Sequence, residues 1–385
     1  MIYISAVGML SALGNDMATT AINLAGNFAP GMRPDSGWLL HGKPCWTGKV
    51  EADLPEIPEP FAAHRSRNNQ LLLAALQQIQ PQVDEAIATF GRDRIAVVLG
   101  TSTSGLNEAD NRIAGQAENY HYYQQELGDP ARFMANCLAL AGPAYTLSTA
   151  CSSSARALIS GQRLLEAGLA DVAIVGGADT LSRMPVNGFD SLESLSPTQC
   201  APFSKQRDGI TIGEGAALMV LTKTPQAVAI LGVGESSDAY HMSAPHPQGE
   251  GAIRAIRMAL EQANLAPGAL GYINLHGTAT RLNDRIEADV VSQIFGDTVP
   301  CSSTKHLTGH TLGAAGICEA AISWLLLTQP VPLPPQDFTL TVQDDTLAEC
   351  GLLRQARPLS GSAIMSNSFA FGGNNTCLIL GKHNG

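Results

Sequence analysis

The sequence predicts an α/β protein in which helices cover a largely parallel sheet. Three observations predict it. Short apolar runs of strand length recur along the chain, and several stop at a glycine. Longer stretches of helical period lie between them. The composition supplies both the core and the turns: 45% hydrophobic, 15% charged and 38 glycines in 385 residues.

In chain order, residues 2–7 form the first strand, β-branched and closed by Gly8. Residues 94–99 (RIAVVL) end at Gly100, and 171–175 (DVAIV) end at Gly176 and Gly177. Runs at 218–221, 229–233, 272–275, 363–366 and 376–380 read the same way. Such continuous apolar runs fit strands buried on both faces. Residues 69–80, 152–167, 252–262, 285–294 and 317–327 carry the helical period. The similar segments 4–8 (ISAVG) and 230–234 (ILGVG) point to a duplication, with halves at 1–225 and 226–385. Residues 30–60 lack a period and read as a surface excursion. Residues 330–335 (PVPLPP) read as a rigid extended connector.

Charge and cysteine usage exclude several function classes. The formal net charge is −11, from 23 basic and 34 acidic residues. That argues against a general nucleic-acid binder, and an acidic protein partner would need a local basic patch. The 8 cysteines are sparse, with no CxxC. This spacing is neither a zinc ribbon nor a disulfide framework, and it fits reduced thiols in a cytoplasmic protein. The apolar N-terminus has no basic region before it and reads as a strand, not a signal peptide. No apolar run reaches the roughly 18 residues that a membrane span needs.

Four windows carry the chemistry. Thr149-Ala150-Cys151-Ser152-Ser153-Ser154 follows a strand-like segment, 144–147, and opens a helical run. A cysteine at a helix N-terminus meets unpaired N–H groups and the positive end of the helix dipole, which favour thiolate. The alternative is a buried structural cysteine, the common fate of this residue. His276 follows the 272–275 strand and precedes Gly277, where open α/β sheets place ligands. Lys305 and His310 lie in a polar, glycine-bearing segment that opens an apolar helix. His306 and His310 have the spacing of an HExxH zinc helix, but the glutamate is missing and Gly309 intervenes. Phe369, Ala370 and Phe371 precede Gly372 and Gly373, either as core plugs or as a hinged apolar gate. There is no GxGxxG after a strand and no GxSxG elbow, and the 37–44 segment (GWLLHGKP) is too bulky to cradle a phosphate.

Together and in this order, TACSSS at 149–154, NLHGTAT at 274–280, STKHLTGHTLGAAG at 303–316 and NSFAFGGNN at 367–375 resemble the β-ketoacyl-acyl carrier protein synthase family, in its elongating type I/II branch. The windows at 4–15, 170–179, 202–221 and 237–245 support the resemblance, which spans residues 1 to 381. It implies a thiolase-like fold of five αβαβα layers made from two similar halves. It also implies a homodimer, or a heterodimer with a related ketosynthase-like subunit, working with an acyl carrier protein. By that resemblance Cys151 is the acyl-accepting nucleophile, His276 and His310 are the paired histidines and Lys305 tunes the site. Phe371 is the gating residue beside Phe369, and the N–H groups of Cys151 and Phe371 hold the oxyanion. Thr278 and Thr280 line the malonyl and pantetheine approach. Glu319 matches an acidic residue near a structural ion in some members. No bound cofactor is implied, because phosphopantetheine arrives on the carrier protein.

The implied reaction is a decarboxylative Claisen condensation. An acyl group moves to Cys151, malonyl thioester loses CO2, and the resulting carbanion attacks the acyl-enzyme. The chain departs from the family pattern in places. The segment from Pro130 to Pro143 is short, Thr103 stands where an apolar pocket residue is common, and Ala370 stands where glycine is usual. A short, partly polar pocket fits a polyketide or polyene intermediate as well as a fatty acid. Arg65, Arg67 and Arg132 are the expected carrier-protein patch, with ordinary surface arginines as the alternative. Two other functional classes stay open. One is a chain-length-factor-like subunit that shapes a partner's pocket. The other is a thiolase, which needs a second catalytic cysteine late in the chain, where only Cys377 is offered.

Overall fold

The computed structural model describes residues 1–116 and 119–383. The expected second half, 226–385, thus includes two residues, 384 and 385, that lie outside the described residues. The first half contains β1 (Ile2–Ser11), α1 (Met17–Ala25), β2 (Met32–Asp35), β3 (Cys45–Gly48), α2 (Arg67–Phe90), β4 (Ile95–Gly100) and α3 (Leu106–Ile113). It continues with α4 (Asp129–Cys137), β5 (Ala144–Leu147), α5 (Ser153–Glu166), β6 (Val172–Asp179), α6 (Arg183–Ser191), β7 (Ile212–Gly213) and β8 (Gly215–Thr222). The second half contains β9 (Val228–Ser237), α7 (Glu250–Ala263), β10 (Tyr272–Asn274), α8 (Arg281–Phe295) and β11 (Cys301–Ser302). It ends with α9 (Lys305–Thr308), α10 (Ala315–Thr328), β12 (Ala363–Phe369) and β13 (Asn374–Lys382).

Among the described residues the main sheet runs β11-β10-β12-β13-β9-β1-β8-β6-β4-β5. Each half repeats one order: its third, second, fourth, fifth and first main-sheet strands, read from the outer edge. The pairing directions repeat too. β4 runs parallel to β5 and β6, as β10 does to β11 and β12. β8 is antiparallel to β1 and β6, as β13 is to β9 and β12. The duplication is therefore topological. The sheet is mixed, which corrects the expectation of a largely parallel one. Only four residues separate β12 from β13, too few for a parallel crossover, so those strands must form a hairpin.

The layers follow from which faces are apolar. α2 packs on β1, β6 and β8 from outside, and α7 packs on β9 and β13 from the opposite outside. α5 and α10 lie between the two half-sheets and touch each other. α10 is buried almost all round, through Ile317, Ile322, Leu325 and Leu326 among others, which explains its lack of an amphipathic pattern. A Cβ on Gly316 would sit 2.7 Å from the Ala155 Cβ, so glycine lets the two central helices approach.

Three further corrections concern local structure. The helical period reads over 69–80, just short of Pro81. α2 continues to Phe90 with Pro81 inside. A proline in a helix costs about 3 kcal/mol, but Val83 and Ala86 prolong the buried face of Leu72, Leu76 and Ile79. Burying such side chains contributes about 1.5–3 kcal/mol each. Residues 30–60 are not a surface excursion. β2 and β3 pair there, β3 runs parallel to β7, and Cys45 and Thr47 are buried. Strands of four residues are too short to show a period. The helices α1, α3, α4 and α6 were not anticipated.

Candidate active site

Cys151 sits in the turn between β5 and α5. Ala150 adopts φ 51°, a left-handed conformation that is strained for alanine. It swings the Cys151 side chain toward the second half. The serine run ties the turn: the Ser152 hydroxyl donates to the Thr149 carbonyl at 2.8 Å, and the Ser153 hydroxyl to the Ala150 carbonyl at 2.5 Å. The N–H groups of Cys151 and Phe371 both act to favour the charged form of the Cys151 sulfur, which they lie beside. They converge where an oxyanion would form on an acyl group carried there. Burial pushes the thiol up to about 11, outweighing the Phe371 N–H and the Lys305 charge, which pull it down. The expectation that the helix N-terminus would favour thiolate in the free protein is corrected by this burial.

His310 Nε2 lies 3.0 Å from the Cys151 sulfur. A backbone bridge to the small sheet holds it: the His310 N–H donates to the Thr211 carbonyl at 2.7 Å, and the Gly213 N–H to the His310 carbonyl at 3.0 Å. The sheet formed by β2, β3 and β7 thus supports a site residue. His276 follows β10, and Glu287 from α8 locks its turn, accepting from the His276 and Gly277 N–H groups at 2.7 Å each. Asp284 accepts from Thr278 N–H at 3.1 Å and from Ala279 N–H at 3.2 Å. The two imidazoles meet edge to face, 5.5 Å between centroids. Burial, with the Lys305 charge, holds both histidines well below their ordinary range, so both are neutral.

Lys305 opens α9 and is buried. Its ammonium donates to the His276 carbonyl at 2.6 Å, forms an ion pair with buried Glu319 and approaches His276 Nδ1 at 3.5 Å. A cationic donor at Nδ1 leaves the ring proton on Nε2. His276 therefore presents an N–H to the cavity. Among the described residues His310 Nδ1 has no hydrogen-bond partner, so neither tautomer of His310 is locked. Its Nε2 can accept from a thiol in one step and donate to an oxygen in another.

The ligand atoms of Cys151, His276 and His310 lie within 4.8 Å of one another. A metal-bound histidine needs an acceptor for its outer N–H. His276 Nδ1 faces an ammonium instead, and His310 Nδ1 faces no partner, so the trio suits hydrogen-bond donation better than metal ligation. His306 turns away toward the Ser303 carbonyl and Asn27 Oδ1, and the i, i+4 histidines do not converge.

A cavity of about 230 Å³ opens above the trio, lined by Phe189, Thr278, Thr280, Arg281, Phe369 and Phe371, among others. Thr278 and Thr280 hydroxyls lie 3.0 Å apart. Phe189 packs against Phe371 with centroids 5.4 Å apart. Thr103 does not line this cavity. Its hydroxyl donates to buried Asp179 at 2.7 Å, and Asp179 also accepts from Thr101 and the Ser102 and Thr103 N–H groups. Glu319 is the counter-ion of Lys305. The three arginines of the expected carrier patch all have acidic partners: Arg65 pairs with Glu59, Arg132 with Glu126, and Arg67 with buried Glu214. Cys377 lies buried within β13, outside the cavity.

Sequence reasoning missed Glu287, Asp284, Asp179, Glu214 and Phe189. A signal existed for two of them. Asp284 and Glu287 fall on the same helical face as Ile286, Val290 and Val291, and carboxylates on an apolar stripe need donors.

The chain matches the beta-ketoacyl synthase N-terminal domain over residues 47–227 and its C-terminal domain over 227–338. It is 37% identical over 267 residues to a 3-oxoacyl-[acyl-carrier-protein] synthase 2 of Rhizobium meliloti, a match covering 64% of this chain and 62% of that protein. It is 29% identical to the enzyme of that name from Staphylococcus aureus, over 99% of this chain and 98% of the relative. Among solved structures it resembles a ketosynthase (ApeO) in complex with its chain length factor (ApeC) from Xenorhabdus doucetiae. There the identity is 64% and the TM-score 0.98, over 99% of this chain and 98% of that one. With a buried Cys-His-His trio at the junction of two topologically equivalent halves, and both family domains matched in sequence, the chain belongs to the beta-ketoacyl synthase family, condensing acyltransferases of thiolase-like fold.

Proposed function

We propose that this chain is the catalytic ketosynthase of a two-subunit condensing enzyme. It would extend a polyketide or polyene chain held on an acyl carrier protein, with a related chain-length-factor subunit as partner. The observation that carries this is the Cys151 sulfur 3.0 Å from a neutral His310, with the Phe371 and Cys151 N–H groups beside that sulfur. A subunit that only shaped a partner's pocket would have no use for that arrangement. The 64% identity to a ketosynthase solved with its chain length factor supports the two-subunit reading. A thiolase reading loses support because Cys377 lies away from the cavity.

In the first half-reaction the Cys151 thiol passes its proton to His310 Nε2 as sulfur attacks the acyl thioester carbonyl. The oxyanion rests on the two N–H groups. The pantetheine thiolate leaves and takes the proton from His310, which is not held as a cation beside Lys305. In the second, a malonyl thioester places its carbonyl oxygen between His276 Nε2–H and His310. Loss of CO2 leaves an enolate on these donors, and its carbon attacks the acyl-enzyme. Collapse expels the Cys151 sulfur as a thiolate, which takes from solvent the one proton that the overall condensation consumes. Phosphopantetheine comes with the carrier protein. No described helix is long and apolar enough to cross a membrane, and the chemistry fits a cytoplasmic setting.

The test is the intact mass of the carrier protein after incubation with acyl-carrier and malonyl-carrier thioesters and the partner subunit, with Cys151→Ala as control. A two-carbon, keto-bearing gain that the control lacks is expected. No gain with any primer would sink the proposal. A gain unchanged in Cys151→Ala would place catalysis in the partner.

A further inference from the structure

The arginines expected to receive the carrier protein are each paired with a carboxylate. A different cation stands at the cavity. Arg281, the first residue of α8, is exposed and is the only arginine or lysine among the described residues lining the cavity. Among the described residues its guanidinium has no ion pair or hydrogen-bond partner. Arg285, also exposed, follows one turn later on the same helix. Cys151 is buried and Arg281 is exposed, so they mark the floor and the rim of one cavity. The positive end of the α8 dipole adds to the charge at that rim.

The other charges at the rim are negative. Glu193 is exposed there. Asp208 accepts from the Ser196 hydroxyl at 2.6 Å, and Asp238 accepts from Asn375 at 2.7 Å and from the His246 N–H at 2.9 Å. The rim is therefore asymmetric. An anion approaching it is attracted to the α8 side and repelled by Glu193.

We propose that Arg281 binds the phosphodiester of the phosphopantetheine arm and so sets the side on which the arm enters. This rests on the reading that acyl groups arrive on such an arm. The phosphodiester is the arm's permanent charge. An arginine fork matches two of its oxygens. Thr280 and Thr278, next in line toward His276, then face the amides of the arm. Arg285 supplies a second positive charge to the same rim.

The experiment follows Cys151 acylation by intact mass with three donors of one acyl group: the carrier-protein thioester, the free phosphopantetheine thioester and the N-acetylcysteamine thioester, which has no phosphate. Arg281→Gln is expected to slow acylation about tenfold with the first two. The phosphate-free donor should stay within about twofold, which also reports an intact fold. Arg281→Lys should recover part of the loss. Equal loss with all three donors, or loss with none, overturns the proposal. Loss with the carrier protein alone overturns it in favour of Arg281 reading the carrier surface. A wild-type enzyme acylated by none of the three would instead sink the functional reading, and this inference with it.

Discussion

The two halves use equivalent strand ends in opposite ways. β4 and β10 hold the second place in their half-sheets, and each delivers a loop toward the shared cleft. After β4 the loop is occupied with itself, because Asp179 takes donors from Thr101, Ser102 and Thr103. After β10 the loop carries His276, and Glu287 takes the His276 and Gly277 N–H groups together with the Asn283 and Asn367 amides, but not the imidazole, which is left to face the cavity. The third strands show a similar split. The turn between β5 and α5 presents Cys151, while the segment between β11 and α10 presents Lys305 and His310. A duplicated topology thus gives two sets of loops around one cleft. In the proposed mechanism one set holds the nucleophile, the other the groups that stabilise negative charge on oxygen.

Separating the half-reactions tests this division with the largest effect. His276→Ala removes a donor to the enolate but none of the groups around Cys151. Acylation of Cys151, read by intact mass, should persist, while condensation falls by about 10²–10³. Equal loss of both steps would break the comparison. Lys305→Ala tests how far the second half depends on its buried ion pair. It leaves Glu319 buried and unpaired, and should lower unfolding stability by about 3–5 kcal/mol. Lys305→Met with Glu319→Leu should restore much of that stability in denaturant titrations without restoring condensation.

Glu287 supplies a pH signature. Burial raises its carboxyl to about 7, against the pull of the His276 and Gly277 N–H groups. Below that pH the folded protein takes up the proton, and one acceptor at the His276 turn is lost. Activity should fall as pH drops through about 7, and Glu287→Gln should show low activity without that limb. The sign for stability is the reverse. A carboxyl whose folded value is raised binds its proton more tightly in the native state, so its ionisation lowers stability as pH rises from about 4.3 to 7. The smallest effect belongs to the first half. Ala150→Gly relieves a left-handed alanine, and its stability should change by less than about 1 kcal/mol, with Cys151 still acylated.

Much of the site was legible as residue types in order. Cys151, His276, Lys305, His310 and Phe371 each lie in a short, polar or glycine-bearing window beside a strand or helix, where local pattern is informative. The partners that hold them were not legible. Glu287 shows in the sequence only as a carboxylate on an apolar helical face, and which donors meet it is decided when the fold brings the His276 turn onto it. Residues 30–60 read as an excursion because four-residue strands carry no period, yet with β7 they form the sheet that holds His310.

The sequence by itself determined the alternation of strands and helices and the weak duplication, because apolar period and turn residues are local properties, and its four motif windows carried the family resemblance that picks out the candidate site residues. Tertiary structure alone decided the mixed strand directions, the charge state of the trio and which arginines stay unpaired. Those depend on burial and on partners far apart in the chain. Cys151 and His310, separated by 159 positions, become neighbours only when α5 and α10 pack between the half-sheets. That same packing removes water from the thiol and the imidazoles, and it outweighs the pull toward thiolate expected from the helix N-terminus.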